Sequence, residues 1–162
     1  MANVFDVARY ILKHTGPVTA WKLQKLVYYS QAWSLVWDVR PLFPERIEAW
    51  ANGPVCPELY AQHRGRFMID SIQVGDPDAI DVVGRETIDA VLDYYGDKHP
   101  QWLSDLTHAE APWKDARGDL PEPLASARLR TSAWLPITRH CRLNLPARLE
   151  IPGTAAADPA RS

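Results

Sequence analysis

The hydrophobic positions of the first 37 residues recur at helical spacing in two runs, which are separated by Gly16-Pro17. The first run follows Asn3, with Asp6 three residues later, and this order predicts a capping box at the start of a helix. The glycine and the proline predict where that helix ends. Thr19 is then the predicted N-cap of a second, longer helix that reaches Trp37.

The second run has the strongest helical periodicity in the chain. Its apolar face is built from positions spaced three and four residues apart: Leu23, Leu26, Val27, Ser30, Trp33 and Trp37. Lys22, Lys25 and Gln31 fall elsewhere on the helical wheel, which predicts a polar side. Further aromatic residues widen the apolar face, so we expect this helix to be contacted from more than one direction.

Aromatic residues are frequent in the first sixty positions, and most of them have the spacing of core residues. The Trp and Tyr residues considered as core or interface residues are Trp21, Tyr28, Tyr29, Trp33, Trp37, Trp50 and Tyr60. There are more of them than a small core easily accommodates. Any that remain at the surface would be typical anchors of a protein–protein interface.

The segment around residue 50 predicts a strand, a turn and a helix start. The alternation Ile47-Glu48-Ala49-Trp50 favours a short strand. Asn52-Gly53-Pro54 predicts a turn, because Asn-Gly supplies positive-φ positions and the proline keeps Gly53 out of the α region. Pro57 suits the first turn of a third helix that runs to about Arg64.

The second half of the chain contains two further helical patterns. A weak alternation over residues 69–74 first predicts a small strand. Apolar positions then predict a helix over Asp78–Tyr95, although Gly84 is unfavourable inside it. Pro100 begins a short helix to about Leu106, and a turn is predicted at residues 108–112.

The composition changes beyond Asp119. Residues 121–162 contain six prolines, no lysine and no sustained period, which predicts a poorly ordered tail over 120–162 after a single domain over 1–119. Residues 1–120 carry 12 Lys and Arg against 17 Asp and Glu, whereas residues 121–162 carry 6 Arg against 3 acids. The predicted fold class is mainly α: a compact helical domain with a small β element, followed by an irregular tail.

Several protein classes are disfavoured by the composition. The N-terminal residues lack the positive flank and continuous apolar run of a signal peptide. Nowhere do eighteen apolar residues follow one another, so neither a spanning helix nor a membrane partner is expected. Two distant cysteines predict neither a disulfide framework nor a four-ligand zinc site. We therefore expect a cytoplasmic protein.

Candidate catalytic and metal-binding residues are few. His99, His108 and Glu110 form the one cluster worth testing as a metal site, but a second spaced ligand pair is missing. Cys56 would be a candidate nucleophile if His63 lay beside it, although a small buried thiol is the favoured interpretation. The chain has no glycine-rich phosphate loop and no G-x-S-x-G elbow. We expect no enzymatic activity, no metal and no cofactor.

The first two helices also suggest an alternative function, a DNA-binding transcriptional regulator that uses a helix-turn-helix-like segment over residues 4–37. Residues 19–28 would begin its recognition helix. Only a few cations, Lys22 and Lys25 among them, would face phosphates, and the acidic body would oppose the approach to DNA. A nucleic-acid partner is therefore disfavoured.

The chain contains three separated segments: "MANVFDVARYILKHTGPVTAWKLQKLVYYSQAW", "EAWANGPVCPELY" and "LSDLTHAEAPWKDAR". In this order they resemble the Panacea-domain family, whose members include SocA-like antitoxins and phage-associated GepA-like proteins. The resemblance covers about residues 1–120. It implies a mostly α-helical domain with a small β element, which neutralises a genetically linked toxin by direct protein contact. SocA-like members also act as adaptors that deliver the toxin to a ClpXP-type protease.

The resemblance carries a set of family motif positions onto this chain. We interpret them as a packing and turn framework first, and as partner-binding residues only where they are exposed. They are Leu23, Lys25, Leu26, Tyr28, Trp50, Gly53, Pro54, Val55, Leu59, Tyr60, Leu106, Thr107, His108, Pro112 and Trp113. After Asp119 the chain departs from the family, whose members usually continue with another helix that has an aromatic ending. A shifted reading frame in a GC-rich gene would produce the Arg-, Pro- and Ala-rich composition found instead.

Overall fold

Helices make up most of the protein in a computed structural model, which describes residues 1–109, Lys114 and the backbone of Ala127 and Arg128. The α-helices in this part of the chain are α1 (Val4–Thr15), α2 (Ala20–Trp37), α3 (Pro57–His63), α4 (Val82–Tyr95) and α5 (Pro100–Ala109). A 3-10 turn at Pro77–Ala79 precedes α4. The predicted mainly α class is confirmed. Within the described residues, no helix is both long enough and apolar enough to cross a membrane.

Short strands form the small β element that the sequence predicts. They are β1 (Val18–Thr19), β2 (Glu48–Trp50), β3 (Gly53–Val55), β4 (Met68–Ile69) and β5 (Ala127–Arg128). β1 pairs antiparallel with β4, and β2 lies between β3 and β5 in a second antiparallel sheet. β5 is the described part of the predicted irregular tail, and its two residues pair with β2; the rest of 120–162 lies outside the described residues.

Both ends of α1 agree with the sequence prediction. The Asn3 side chain accepts hydrogen bonds from the backbone N–H groups of Phe5 and Asp6, while the Asp6 carboxylate accepts from Asn3 N at 2.8 Å. This reciprocal arrangement is a capping box, and it satisfies three N–H groups at the helix start. At the other end Gly16 adopts φ +73° and its N–H donates to Leu12 O.

α2 is the central helix of the fold and is buried on almost every side. Thr19 caps it by accepting from Lys22 N, as predicted. Every residue from Leu23 to Ser34 is buried, which confirms that the helix is contacted from several directions. The predicted polar side is wrong, because Lys25 and Gln31 lie inside the protein. Tertiary partners from later in the chain satisfy these polar groups, and the helical wheel alone does not reveal such partners.

The C-terminal half of α2 packs against α4 through aromatic rings. Tyr29 stacks on Tyr95 with 4.2 Å between ring centroids, and Trp33 Nε1 donates to the Tyr95 hydroxyl at 3.3 Å. At the far end of the same helix pair, the Thr87 hydroxyl donates to Asp38 at 2.7 Å. The two helices therefore run antiparallel, and each fully buried aromatic side chain contributes about 1.5–3 kcal/mol to the free energy of unfolding.

Two predicted helix boundaries need correction. α4 begins at Val82, not at Asp78, because Asp81 is its N-cap and accepts from Gly84 N at 2.8 Å. α5 continues beyond Leu106 to Ala109, so the predicted turn at 108–112 is wrong for residues 108 and 109, and residues 110–112 lie outside the described part. Burial of Thr107 beneath the hairpin of β2 and β3 extends α5 beyond its local sequence pattern.

Candidate functional site

The segment that predicted a strand, a turn and a helix start folds as a β-hairpin followed by α3. Ala51 and Asn52 form its two-residue loop, and Trp50 pairs with Gly53 across it. Gly53 has φ +114°, as expected for a glycine required by its backbone conformation. The predicted turn over Asn52-Gly53-Pro54 is one residue too late, because Gly53 and Pro54 already belong to β3. A proline is accepted there because β3 is an edge strand of the sheet.

A buried lysine holds this hairpin to α2. The Lys25 ammonium donates to Asn52 O at 3.0 Å and to Pro54 O at 3.4 Å. Ser104 of α5 also donates to Asn52 O, at 3.3 Å. Burial lowers the pKa of Lys25 to about 8. We name this junction of α2, the hairpin and α5 the Lys25 junction, and it unites all three sequence segments that carry the family resemblance.

Gly53 is required at the Lys25 junction for a second reason besides its positive φ. A Cβ atom at this position would overlap the Lys25 ammonium and would approach Thr107 Oγ1 to 3.2 Å. The lysine reaches its carbonyl acceptors only because residue 53 has no side chain. The backbone conformation and the close approach therefore select the same residue.

Gln24, the neighbour of Lys25, fixes the other end of the segment. Its Oε1 accepts from Cys56 N at 2.9 Å, and its Nε2 donates to Cys56 O at 3.4 Å. The same amide nitrogen donates to His63 Nε2 at 2.9 Å, which assigns the histidine proton to Nδ1. Burial also lowers the pKa of His63. One side chain thereby connects α2 with both ends of α3.

The candidate catalytic residues are buried or hydrogen-bonded within the fold. Burial raises the pKa of the Cys56 thiol to about 12, so the thiol is protonated at neutral pH. His63 hydrogen-bonds with Gln24, and Cys56 Sγ lies 3.6 Å from a Glu58 oxygen. Within the described residues no three His, Cys, Asp or Glu side chains form a metal-binding group. Of the suggested metal cluster, Glu110 lies outside the described part.

A concavity of about 510 Å³ opens between the start of α2, the hairpin loop and α3. Its walls include Trp21, Trp50 and Tyr60, and its lining also includes His63 and Arg66. Trp50 and Tyr60 meet edge to face with 5.0 Å between ring centroids. Aromatic walls with a few polar groups are typical of sites that receive a side chain or a small ligand.

The family motif positions divide by exposure. The buried ones are Leu23, Lys25, Leu26, Tyr28, Gly53, Pro54, Leu59 and Thr107, and the half-buried ones are Trp50, Val55, Tyr60, Leu106 and His108. Pro112 and Trp113 lie outside the described residues. Of the half-buried positions, Trp50 and Tyr60 line the concavity. Gln24 and Arg66 also line it, and neither is predicted from the sequence, since both are ordinary surface residue types.

The comparisons with known proteins assign a family to most of the described elements. A family model described as "Antitoxin SocA-like, Panacea domain" matches residues 23–114. Searches of curated proteins and of solved structures each found no match. The matched range starts in α2 and includes the hairpin, α3, α4 and α5, so every hydrogen bond of the Lys25 junction falls inside it. The chain therefore belongs to the SocA-like antitoxin family that is defined by the Panacea domain.

Proposed function

We propose that this protein is a cytoplasmic antitoxin that neutralises a genetically linked toxin by direct, stoichiometric binding through a domain over residues 1–119. The match of the family model to residues 23–114 carries this proposal. The match covers the elements that meet at the Lys25 junction, which supports a binding domain built on that junction. Binding requires a stable fold and an exposed recognition surface, with no reacting group.

The surroundings of the reactive residue types support binding over catalysis. The Cys56 thiol is protonated at neutral pH, and the His63 imidazole is occupied by Gln24. The Lys25 ammonium is buried among backbone carbonyl groups. In each case a hydrogen bond or burial within the fold explains why this residue type is present at this position. We therefore assign no chemical step to these side chains.

The alternative, a DNA-binding regulator using residues 4–37, is opposed by the burial of α2. A recognition helix must expose one face to the major groove. From Leu23 onward the corresponding helix is enclosed, and Lys25 points its charge at the hairpin instead of at solvent. We therefore propose no nucleic-acid function for this segment.

Co-expression with the product of the adjacent gene tests the antitoxin proposal. We expect the neighbouring product alone to arrest bacterial growth, and its co-expression with this chain to restore growth and yield a complex that co-purifies. Gly53→Val, which should disrupt the Lys25 junction, is the control for loss of the folded domain. The proposal is wrong if soluble, folded wild-type protein leaves a toxic neighbour fully active.

The same experiment separates occlusion from delivery to a protease, the additional role of SocA-like members. We measure the half-life of the toxin in cells with and without the ClpXP-type protease. An adaptor shortens that half-life only when both the antitoxin and the protease are present. If growth is rescued equally in cells without the protease, occlusion by binding is sufficient.

A further inference from the structure

Three exposed apolar side chains belong to neighbouring backbone segments at the start of α2. Trp21, Phe67 and Met68 expose 50%, 80% and 49% of their surface. Their backbones are joined because Thr19 pairs with Met68 in the β1–β4 sheet, and Ala20 N donates to Phe67 O at 2.9 Å. Aromatic residues and methionine are enriched in protein interfaces. We call these three residues the Trp21 surface.

The concavity adjoins the Trp21 surface and shares Trp21 with it. Its volume of about 510 Å³ lies within the range of about 300–1,000 Å³ that is usual for binding pockets. Trp50 and Tyr60 are held in fixed contact with one another, so their rings lose little freedom when a ligand binds. An aromatic pocket beside an exposed apolar patch suits an occupant with one large side chain that projects from a chain segment.

The charges at this end of the molecule indicate the character of the occupant. Arg64 and Arg66 are exposed beside the concavity, and the lining includes a guanidinium group but no carboxylate. Arg64 makes no hydrogen bond or ion pair with any described residue, whereas Arg66 bonds to Asp70 and to Ser71 O. By contrast, residues 70–109 carry nine acidic and two basic side chains. Of the two arginines, Arg66 is already paired with Asp70 at 2.8 Å, so the uncompensated positive charge at the rim of the concavity is that of Arg64, on an otherwise acidic domain.

We propose that the Trp21 surface and the concavity form the toxin-contacting face, and that they receive an acidic segment of the toxin. A large apolar side chain of that segment enters the concavity, and a neighbouring carboxylate lies against Arg64. This inference rests on the proposed antitoxin function and specifies where and by what chemistry the partner binds. Complementary charge accelerates association, and the buried aromatic contacts slow dissociation.

A second copy of this chain and a nucleic acid fit this face less well. A two-fold pairing of identical surfaces would place Arg64 and Arg66 of both copies close together, and such like-charge contacts oppose association. A nucleic acid would meet two arginines at the rim but an acidic domain behind them. An acidic protein segment satisfies the cationic rim and the aromatic pocket together.

The test measures the dissociation constant between purified toxin, the product of the adjacent gene, and variants of this chain. We expect Trp21→Ala and Phe67→Ser each to weaken binding about 10- to 100-fold. Arg64→Glu should weaken binding about tenfold, chiefly through slower association, and Arg64→Lys should keep most of the wild-type affinity.

Val82→Ser is the matched control. It also removes an exposed apolar side chain, with 69% of its surface exposed, but lies at the opposite end of the α2–α4 pair. We expect its binding to stay within twofold of wild type.

Each outcome either supports or overturns the inference. If wild type binds and the variants of the Trp21 surface bind as tightly as Val82→Ser, this face is wrong while the antitoxin function stands. If folded wild type does not bind the toxin, the proposed function fails and the inference fails with it.

Sedimentation of the chain alone and binding of a labelled single-stranded oligonucleotide test for the other occupants, a second copy and a nucleic acid. A dimer, or an oligonucleotide complex, that Trp21→Ala abolishes would overturn the assignment to a toxin. Equal melting curves of wild type and Phe67→Ser exclude misfolding as the cause.

Discussion

The two halves of α2 are both mostly buried but are held by different forces. Gln24 and Lys25 in the first half reach backbone groups of the hairpin and α3 through hydrogen bonds. In the second half, Tyr29 stacks on Tyr95 and Trp33 donates one hydrogen bond to it, and Gln31 is the polar exception, bonding to Leu42 N and Phe43 O. Hydrogen bonds in a buried site require particular donors and acceptors, whereas ring packing tolerates exchange of one apolar group for another. The first half should therefore be far less tolerant of substitution.

The largest expected effect comes from the glycine beneath Lys25. Gly53→Ala introduces a Cβ that overlaps the Lys25 ammonium at a backbone φ of +114°. We expect a loss of about 3 kcal/mol or more in the free energy of unfolding, because strain and the broken lysine contacts act together. Chemical denaturation measures this loss.

Gly65→Ala is the matched control, since Gly65 has φ +82° but open space where a Cβ would be added, and we expect this variant to lose only about 1 kcal/mol. Equal losses would show that the lysine contact is unimportant.

Replacements of similar volume in the two halves of α2 test the comparison directly. Gln24→Leu leaves the Cys56 N–H and His63 Nε2 without their buried partner, while the Cys56 carbonyl keeps its bond from Tyr60 N, so we expect a cost of about 2–4 kcal/mol. Tyr95→Phe preserves the stacking on Tyr29 and removes the acceptor of the Trp33 N–H, so we expect a cost of about 1 kcal/mol. Thermal and denaturant unfolding of both variants give the values. A larger cost for Tyr95→Phe than for Gln24→Leu would reverse the comparison.

The sequence predicted the apolar contacts of α2 and missed its polar contacts, for a physical reason. Apolar positions at helical spacing already contain the information that Leu26 and Trp33 are buried. The burial of Lys25 depends on carbonyl groups of Asn52 and Pro54, which lie 27 and 29 residues away. Local periodicity carries no information about such distant acceptors, so both Lys25 and Gln31 were placed on a polar face.

The candidate site was predictable to a similar extent. The aromatic composition indicated surface anchors, and the Asn-Gly-Pro turn indicated a change of chain direction near Trp50. The joining of Trp21 to Phe67 depends on the pairing of β1 with β4, two strands of two residues each. Strands this short leave almost no alternation in the sequence, so the Trp21 surface emerges only from the tertiary structure.

Titration of Lys25 gives a smaller effect that is specific to the polar half. The pKa of Lys25 is about 8 in the folded protein and 10.5 ordinarily, so between these values the unfolded chain binds more protons. Stability therefore rises with pH in this window, by about 1 kcal/mol from pH 7 to pH 9. Lys25→Met should abolish this rise. Urea denaturation of both proteins at pH 7, 8 and 9 measures the difference between them.

The comparison of wild type with Lys25→Met should stay below pH 9. Burial raises the pKa of Cys56 from 9.0 to about 12, so above pH 9 the unfolded thiol loses its proton first and stability falls. The two titrations then oppose each other. Parallel pH profiles of wild type and Lys25→Met would contradict the buried ammonium, whereas a rise confined to wild type locates the effect at the Lys25 junction.

The smallest effect is expected just beyond the aromatic half of α2, at Val39. This residue is 87% exposed and adopts φ +54°, a left-handed conformation that is costly for a β-branched side chain. The loop is held on both sides of Val39, since Thr87 Oγ1 donates to Asp38 at 2.7 Å and Ser34 Oγ donates to Arg40 O at 2.9 Å. Val39→Asn keeps these contacts and relieves the strain, so we expect a gain of about 0.5–1 kcal/mol in the free energy of unfolding. Val82→Asn, at an exposed valine in a helical position, should give no gain. Equal responses of the two variants would assign the gain to lost surface hydrophobicity, and a gain confined to Val39 would show that α2 ends in a strained loop held by its neighbours.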